Sequence, residues 1–428
     1  MKGNFQIILL IVFVAAAVLG LLVFSGAIPL GKNSNTAGGQ GTVVLWGTVG
    51  QQFISKPLDI LNRANPSFVV KYVQKDPATF DQDLLEALAS GNGPDLFFLP
   101  DNLAFHYSNR ISVIPYASFS LASFKNYFAG AGEVFLTSKG ILAFPMFIDP
   151  MVMYYNRSIL DSNNIVNPPA SWDELQNMAQ TLTQKDQGKK IIQSAVAMGQ
   201  FSNITHAKDI ISTLFMQAGN PITTEKNGLF SSALKDTADL GPVLKFYTDF
   251  SDPLNPVYSW NKSLPPSINV FSSGDLAFYF GYASELPSLI NRNPNENFLA
   301  APMPQLKNSN TKITSARVTG IAISSFSKNP TAAFTVMGLI ATGDFAKDLA
   351  NALSTVPARR DLLATKPTDA YFPIFYSSAL FAKSWIDPSP SDTDDIFRGM
   401  VDKVLSNDMS PSNVVSDASA KLGLLLAR

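Results

Sequence analysis

The chain has 428 residues, 46% of them hydrophobic and 15% charged, with a formal net charge of -1. That length is enough for two large cores, and the charge balance offers no electrostatic case for nucleic acid or for an anionic membrane surface. Cysteine is absent, which excludes disulfides, thiolate metal sites, cysteine nucleophiles and a lipidated N-terminal cysteine, and two histidines, His106 and His206, leave a histidine-based metal or catalytic site short of members.

Phe5 to Phe24 is uncharged and apolar throughout. A bilayer span needs about 20 such residues, whereas the apolar core of a cleaved signal runs to about 7–15. Ser25-Gly26-Ala27 offers small residues for cleavage, but Ile28 and Pro29 follow directly, so residues 1–30 are read as an uncleaved transmembrane anchor. Lys2 keeps the N-terminus inside and sends the bulk of the chain outside. Residues 31–41 (GKNSNTAGGQG) are polar and glycine-rich, a flexible linker.

From Thr42 onward a βαβαβ rhythm begins. Residues 42–46 (TVVLW) form a strand, a helix runs to about Asn62, and 68–73 form a second strand. Residues 77–90 carry Phe80, Leu84, Leu85 and Leu88 at helical spacing, Gly91-Asn92-Gly93-Pro94 breaks the helix, and 95–99 (DLFFL) read as a buried strand. Such a unit predicts an α/β lobe whose ligands bind beyond the carboxyl ends of the strands. The segments after Trp46 and Leu99 therefore face a cleft, which makes Trp46, Thr48 and Asp101 candidate binding residues.

Residues 140–160 (GILAFPMFIDPMVMYYNRSIL) are apolar and aromatic, interrupted by Pro145, Pro150 and one acid, Asp149. Strand signals with prolines between them predict a chain crossing between two structural units. Asp149 is placed to accept hydrogen bonds from a hydroxyl-rich ligand; the alternative is a capping or hinge carboxylate. Ser171 with Glu174 three residues later forms a capping box. Helices are expected at 171–185, 206–218, 232–249 and 284–292, and strands at 192–198 and 276–280. A return crossing is expected at 297–304, a strand at 316–324, a helix from Asn329 with Pro330 in its first turn, a third crossing near 341–356, and a last helix at 410–426.

The order Pro145, Asp149, Tyr154-Tyr155-Asn156-Arg157, then Pro168-Pro169, Ser171-Trp172-Asp173-Glu174-Leu175 resembles the family 1 extracellular solute-binding proteins. These are the maltose-binding-protein-like sugar receptors of ABC importers. The resemblance covers nearly the whole chain from about Thr42. It implies an α/β, two-lobe periplasmic-binding-protein-like fold of type II, each lobe a mainly parallel sheet flanked by helices. Lobe 1 would comprise 42–148 plus 303–345, and lobe 2 would comprise 149–302 plus 346–428. It further implies a non-catalytic monomer on the extracytoplasmic face of the membrane, periplasmic or secreted if the anchor were cleaved. Its partners would be a carbohydrate and the transmembrane subunits of an ABC permease, with no cofactor and no metal.

The resemblance also places site residues. The loop after residues 192–198 carries ligand contacts in such receptors, which points to Gln200, Phe201 and Asn203; the acid expected there is missing. Residues 271–284 (FSSGDLAFYFGYAS) resemble a family signature in which an aromatic past a glycine stacks on sugar, so Gly281 and Tyr282 are candidates. Trp385 lies in a Trp-x-Asp-Pro stretch that resembles one in the family, and Arg317, beside Gly320 at the start of a strand, is placed either to hydrogen-bond the ligand or to pin the lobes. Flat aromatic faces and planar polar groups are what a pyranose requires.

Two alternatives stay open: a receptor for a non-sugar solute such as a polyamine, and a surface glycoside-active enzyme using Asp149 with a second acid. No zinc-protease, nucleophile-elbow, P-loop or dinucleotide motif is present. The acids Asp387, Asp392, Asp394 and Asp395 lack the pattern of a calcium loop and read as helix-capping residues.

Overall fold

A computed structural model describes residues 41–295, 297–365 and 367–427. The anchor expected at 1–30, and the linker up to Gln40, lie outside the described residues; among the described residues no helix is long and apolar enough to cross a membrane.

The first strands are β1 (Gly41–Gly47), β2 (Phe68–Gln74) and β3 (Leu96–Pro100). β1 pairs in parallel with both of the others, because helices Gln51–Ala64 and Phe80–Ala89 carry the chain back between them. Each helix buries a stripe at three- and four-residue spacing: Ile54, Leu58 and Leu61 on one, Phe80, Leu84 and Leu88 on the other. A short hairpin, β4 (Leu136–Thr137) and β5 (Gly140–Ile141), precedes the long strand β6 (Phe144–Asn156), of which all 13 residues are buried.

Next come β7 (Gln184–Lys185), β8 (Ile191–Val196), the hairpin β9 (Thr223–Lys226) and β10 (Leu229–Ser232), then β11 (Leu276–Tyr282) and β12 (Phe298–Pro302). The last strands are β13 (Thr314–Ile323), β14 (Val356–Pro357) and β15 (Ala382–Lys383). One eleven-stranded sheet runs β2-β1-β3-β13-β6-β11-β8-β7, with β12 and β14 also pairing with β6, and β15 with β13.

β6 belongs to both halves of this sheet. Up to Pro150 it pairs with β13, and from Met151 it pairs with β11 and β12. Proline has no N–H for the ladder, so a change of partner at Pro150 costs no donor there. The two lobes are thus strung on strands common to both.

The expectation of mainly parallel sheets is not met. Only β1–β2, β1–β3, β8–β11 and β13–β15 are parallel, and the pairs that β6 makes with β11, β12, β13 and β14 are all antiparallel. The physical reason is that β6 and β13 run through the centre in opposite directions, and antiparallel pairing satisfies both their edges.

The helix at 171–185 is observed as Trp172–Leu182. Ser171 accepts from the Glu174 N–H at 3.3 Å, and Glu174 accepts in return from the Ala170 N–H at 2.7 Å. The helix expected over 232–249 is confined to Gly241–Asp249; Ser232 ends β10, and residues 233–240 form turns and loop. Helix Asp344–Ala352 packs on Gln51–Ala64 and on β6. Helices Pro390–Leu405 and Pro411–Leu426 pack on each other and on Gly241–Asp249.

Candidate functional site

β13 and β6 set the centre of the site. Arg317 stands directly opposite Asp149 in the antiparallel register, and directly paired residues project to the same face. The next strand along, β3, ends at Pro100 opposite Thr319, so the turn Asp101–Leu103 opens onto that face as well. These residues line a cleft of about 1160 Å³ that receives side chains from both lobes.

Asp149 and Asp101 are 8% and 7% exposed. Both Asp149 oxygens are engaged by Ser284: the backbone N–H donates to Oδ1 at 2.9 Å and the hydroxyl to Oδ2 at 2.6 Å. Asp101 accepts from the Ser384 hydroxyl and, at 3.0 Å, from the Asn102 N–H. Burial pushes each carboxyl up from the ordinary 3.8 to about 6, against the opposing pull of the serine hydrogen bonds and of Arg317.

Arg317 lies 4.0 Å above the Tyr282 ring. Its Nη2 donates to His206 Nδ1 at 3.3 Å and stands 3.8 Å from Asp209 Oδ2. Since Nδ1 accepts, the imidazole proton sits on Nε2, which donates to Glu285 Oε1. Glu285 accepts also from the Tyr279 hydroxyl at 2.7 Å and the Tyr282 N–H at 3.3 Å. Burial alone would raise the Glu285 carboxyl, but the hydrogen bonds from His206, Tyr279 and Tyr282 outweigh it and hold the group below its ordinary 4.5. The chain Glu285–His206–Arg317 thereby fixes a half-exposed guanidinium over an aromatic platform at the cleft floor.

Thr48, Asp101, Asp149, Phe201, Tyr282, Arg317 and Trp385 line the cleft. Tyr282 does so only as the support of Arg317: it is 1% exposed, and one face is covered by the guanidinium. Phe201 is 7% exposed, with Arg398 5.5 Å from its ring. Trp385 is half-buried and stacks on Phe397 with centroids 6.3 Å apart. Phe53, 38% exposed in the cleft, is an aromatic surface that the sequence reading did not single out.

Four candidates are not brought to the cleft. Trp46 is half-buried under the Lys75 ammonium, 3.9 Å from its ring. Gln200 is 6% exposed and borders a separate cavity of about 640 Å³. Asn203 points inward, donating to the Asn261 and Leu264 carbonyls at 2.9 Å each and accepting from Trp260 Nε1 at 3.1 Å. Gly281 allows a close approach: a Cβ there would lie 2.5 Å from the Tyr279 ring and 2.9 Å from Glu285.

His206, Asp209, Ser284 and Glu285 were missed. Ser284 and Glu285 immediately follow the aromatic Tyr282, and the Tyr282–Glu285 spacing matches a helix start; that was the signal available for them. Nothing in spacing links His206 to Glu285. Of the acidic run, Asp387 accepts from Lys208 at 3.1 Å and Asp394 and Asp395 pair with Arg398 at 3.3 and 2.6 Å. Among the described residues no group of His, Cys, Asp or Glu is placed to hold a metal ion.

A pH dependence follows from these groups. Asp101 and Asp149 bind protons more tightly in the folded state, so their contribution to stability is fully present below 3.8 and is lost as pH rises through about 6. Glu285 acts oppositely, losing its contribution as pH falls through its depressed value. Unfolding free energy is therefore expected to rise on acidification from pH 7 to about 5, by on the order of 1 kcal/mol per aspartate, and to fall in stronger acid. Urea titrations of the protein and of Asp149→Asn test this; a variant that keeps the full rise between pH 7 and 5 removes Asp149 as a source.

The family model for bacterial extracellular solute-binding proteins matches residues 46–346. A search of curated sequences returns no match. Among solved structures, a cyclo/maltodextrin-binding protein complexed with maltotetraose aligns with a TM-score of 0.71 at 16% identity, over 90% of this chain and 98% of that one. An extracellular solute-binding protein from Staphylococcus aureus in complex with maltose gives 0.69 at 15%, over 89% and 96%. A substrate-binding protein from Listeria monocytogenes in complex with cycloalternan gives 0.62 at 15%, over 90% and 98%. At these identities the structural likeness establishes the fold, and the family match covers most of the chain: the protein belongs to the bacterial extracellular solute-binding proteins, the substrate-binding components of ABC transporters.

Proposed function

We propose that the cleft captures a carbohydrate and presents it to the membrane subunits of an ABC permease, without catalysing a reaction. The observation that carries this is the composition of the cleft: two buried carboxylates, an immobilised guanidinium and the rings of Trp385 and Phe53, supplied by both lobes. Carboxylate and guanidinium planes hydrogen-bond vicinal hydroxyls in pairs, and apolar ring faces cover the C–H face of a pyranose. Asp149, Asp101, Arg317, Thr48 and Trp385 are the contacts in this reading, with Tyr282, Phe201 and Gly281 supporting them. The neighbours whose complexes hold maltotetraose, maltose and cycloalternan support the ligand class.

Closure would bring lobe 1 (42–148 plus 303–352) onto lobe 2 about the strands β6 and β13, and ligand would favour the closed form by its differential affinity for it. The apolar stretch Phe5 to Phe24 would tether the monomeric receptor to the outer face of the membrane.

The acids in the cleft raise a polyamine as the competing ligand. Three of them are already paired with cations: Asp209 lies 3.8 Å from Arg317, Asp387 holds Lys208 and Asp394 holds Arg398. A polycation would have to displace these partners, whereas hydroxyls fit between them. A thermal-shift screen against sugars, polyamines and organic anions separates the cases. A bound oligosaccharide at a hundredfold excess over its dissociation constant is expected to add ~2.7 kcal/mol of stability and to be recovered unchanged. A shift with polyamines alone overturns the sugar, and product formation overturns the receptor.

A further inference from the structure

The main cleft does not stop at the Asp101 turn. A second cavity of about 730 Å³ lies beyond it, and Asp81, Asn102, Leu103 and Pro390 line both. None of these four residues is buried, so they form a low sill between the cavities, not a packed wall. The far side of the second cavity is built from both lobes: helix Ala104–Tyr107 comes from one and the β9–β10 hairpin from the other. There Phe105 meets Phe230 edge-on, with centroids 5.5 Å apart. Polar side chains surround these rings, among them His106, Asn109, Lys139 and Asp392.

Size and chemistry narrow the occupant. Cavities of about 300–1,000 Å³ suffice for a drug-sized ligand. The main cleft exceeds that range at about 1160 Å³, and the second cavity offers room of the same order again. An alkyl chain there would strip water from His106, Asn109, Lys139 and Asp392 without replacing it, which costs free energy for each group. Sugar hydroxyls replace that water, and the rings of Phe105 and Phe230 offer apolar edges for C–H groups.

We infer that the ligand is an oligosaccharide long enough to cross the sill, with its distal units held against Phe105, Phe230 and His106. This deepens the carbohydrate reading and rests on it.

The test is calorimetric titration of the full chain with malto-, manno- and cello-oligosaccharide series, from disaccharide to heptasaccharide, repeated with Phe230→Ala and His106→Ala. In the series that binds, affinity is expected to climb with chain length beyond the trisaccharide, by about tenfold in total. Phe230→Ala is expected to remove most of that gain and to leave the disaccharide constant unchanged, with His106→Ala giving a smaller loss of the same pattern. Affinity that is flat beyond the disaccharide overturns the inference while leaving the carbohydrate reading in place. Equal losses for short and long ligands in Phe230→Ala also overturn it, because they identify the Phe105–Phe230 contact as a closure latch. Binding to no series at all overturns the carbohydrate reading and the inference together.

Discussion

Replacing Asn203 by alanine is expected to destabilise the protein by about 2–4 kcal/mol while leaving the affinity of the folded form for ligand unchanged. The side chain amide closes three hydrogen bonds: two from Nδ2 to the Asn261 and Leu264 carbonyls, at 2.9 Å each, and one accepted from Trp260 Nε1 at 3.1 Å. Trp260 is fully buried, so its N–H finds no water when Asn203 is truncated. An orphaned buried donor or acceptor costs about 1–3 kcal/mol, and the loss of these partners together gives the stated range. The bonds tie the loop after β8 to the segment following helix Gly241–Asp249, two pieces of lobe 2 that no strand pairing joins. The measurement is urea unfolding followed by intrinsic fluorescence, with the slope checked against the parent, since a changed slope reports a changed end state. A variant of parental stability and weakened sugar affinity would return Asn203 to the binding site.

Glu285→Ala is expected to act on both stability and binding. Glu285 accepts from His206 Nε2, from the Tyr279 hydroxyl at 2.7 Å and from the Tyr282 N–H at 3.3 Å. Hydrogen bonds to an ionised acceptor contribute about 1.5–3 kcal/mol each, less any water that enters, so a loss of about 3–5 kcal/mol is expected. His206 then loses the partner that keeps its proton on Nε2, and Nδ1 no longer has to accept from Arg317. The guanidinium loses one of the two groups that hold it over Tyr282, and ligand affinity is expected to fall about tenfold or more, the equivalent of 1.4 kcal/mol. Glu285→Gln keeps the shape and one acceptor oxygen, so it should recover part of the stability. Calorimetric titration under conditions where both variants are folded reads the binding effect directly. Unchanged affinity in Glu285→Ala would mean that Arg317 needs no support from this chain of contacts.

Much of the fold is legible residue by residue. The stripe Phe80, Leu84, Leu88 marks a helix because only a 3.6-residue period brings those side chains to one face. Ser171 with Glu174 marks a helix start because each satisfies a backbone N–H at the end of the other's turn. Pro145 and Pro150, in an otherwise strand-like run, announced an unusual strand, and β6 is where the sheet changes partners. The β9–β10 hairpin is not marked in the sequence: its strands are four residues each, too short for a period-two pattern to stand out.

Asp149 and Arg317 were each legible as candidates, but their facing each other was not. Pairing register is decided by which hydrophobic sets must share a face of the sheet, and that is a property of two strands at once. Asn203 shows the converse. Its position in a strand-to-helix loop suggested a ligand contact, while the direction of its side chain was decided by Trp260, whose indole N–H had to be satisfied once buried. By itself the sequence determined the periodic elements, their caps, the crossing at Asp149 and Pro150, and the family pattern, all of which depend on residues close together in the chain. Only the tertiary structure decided the Glu285–His206–Arg317 chain, the antiparallel centre of the sheet and the sill between the two cavities. These depend on distances between residues far apart in sequence, and those distances exist only after the hydrophobic faces have packed.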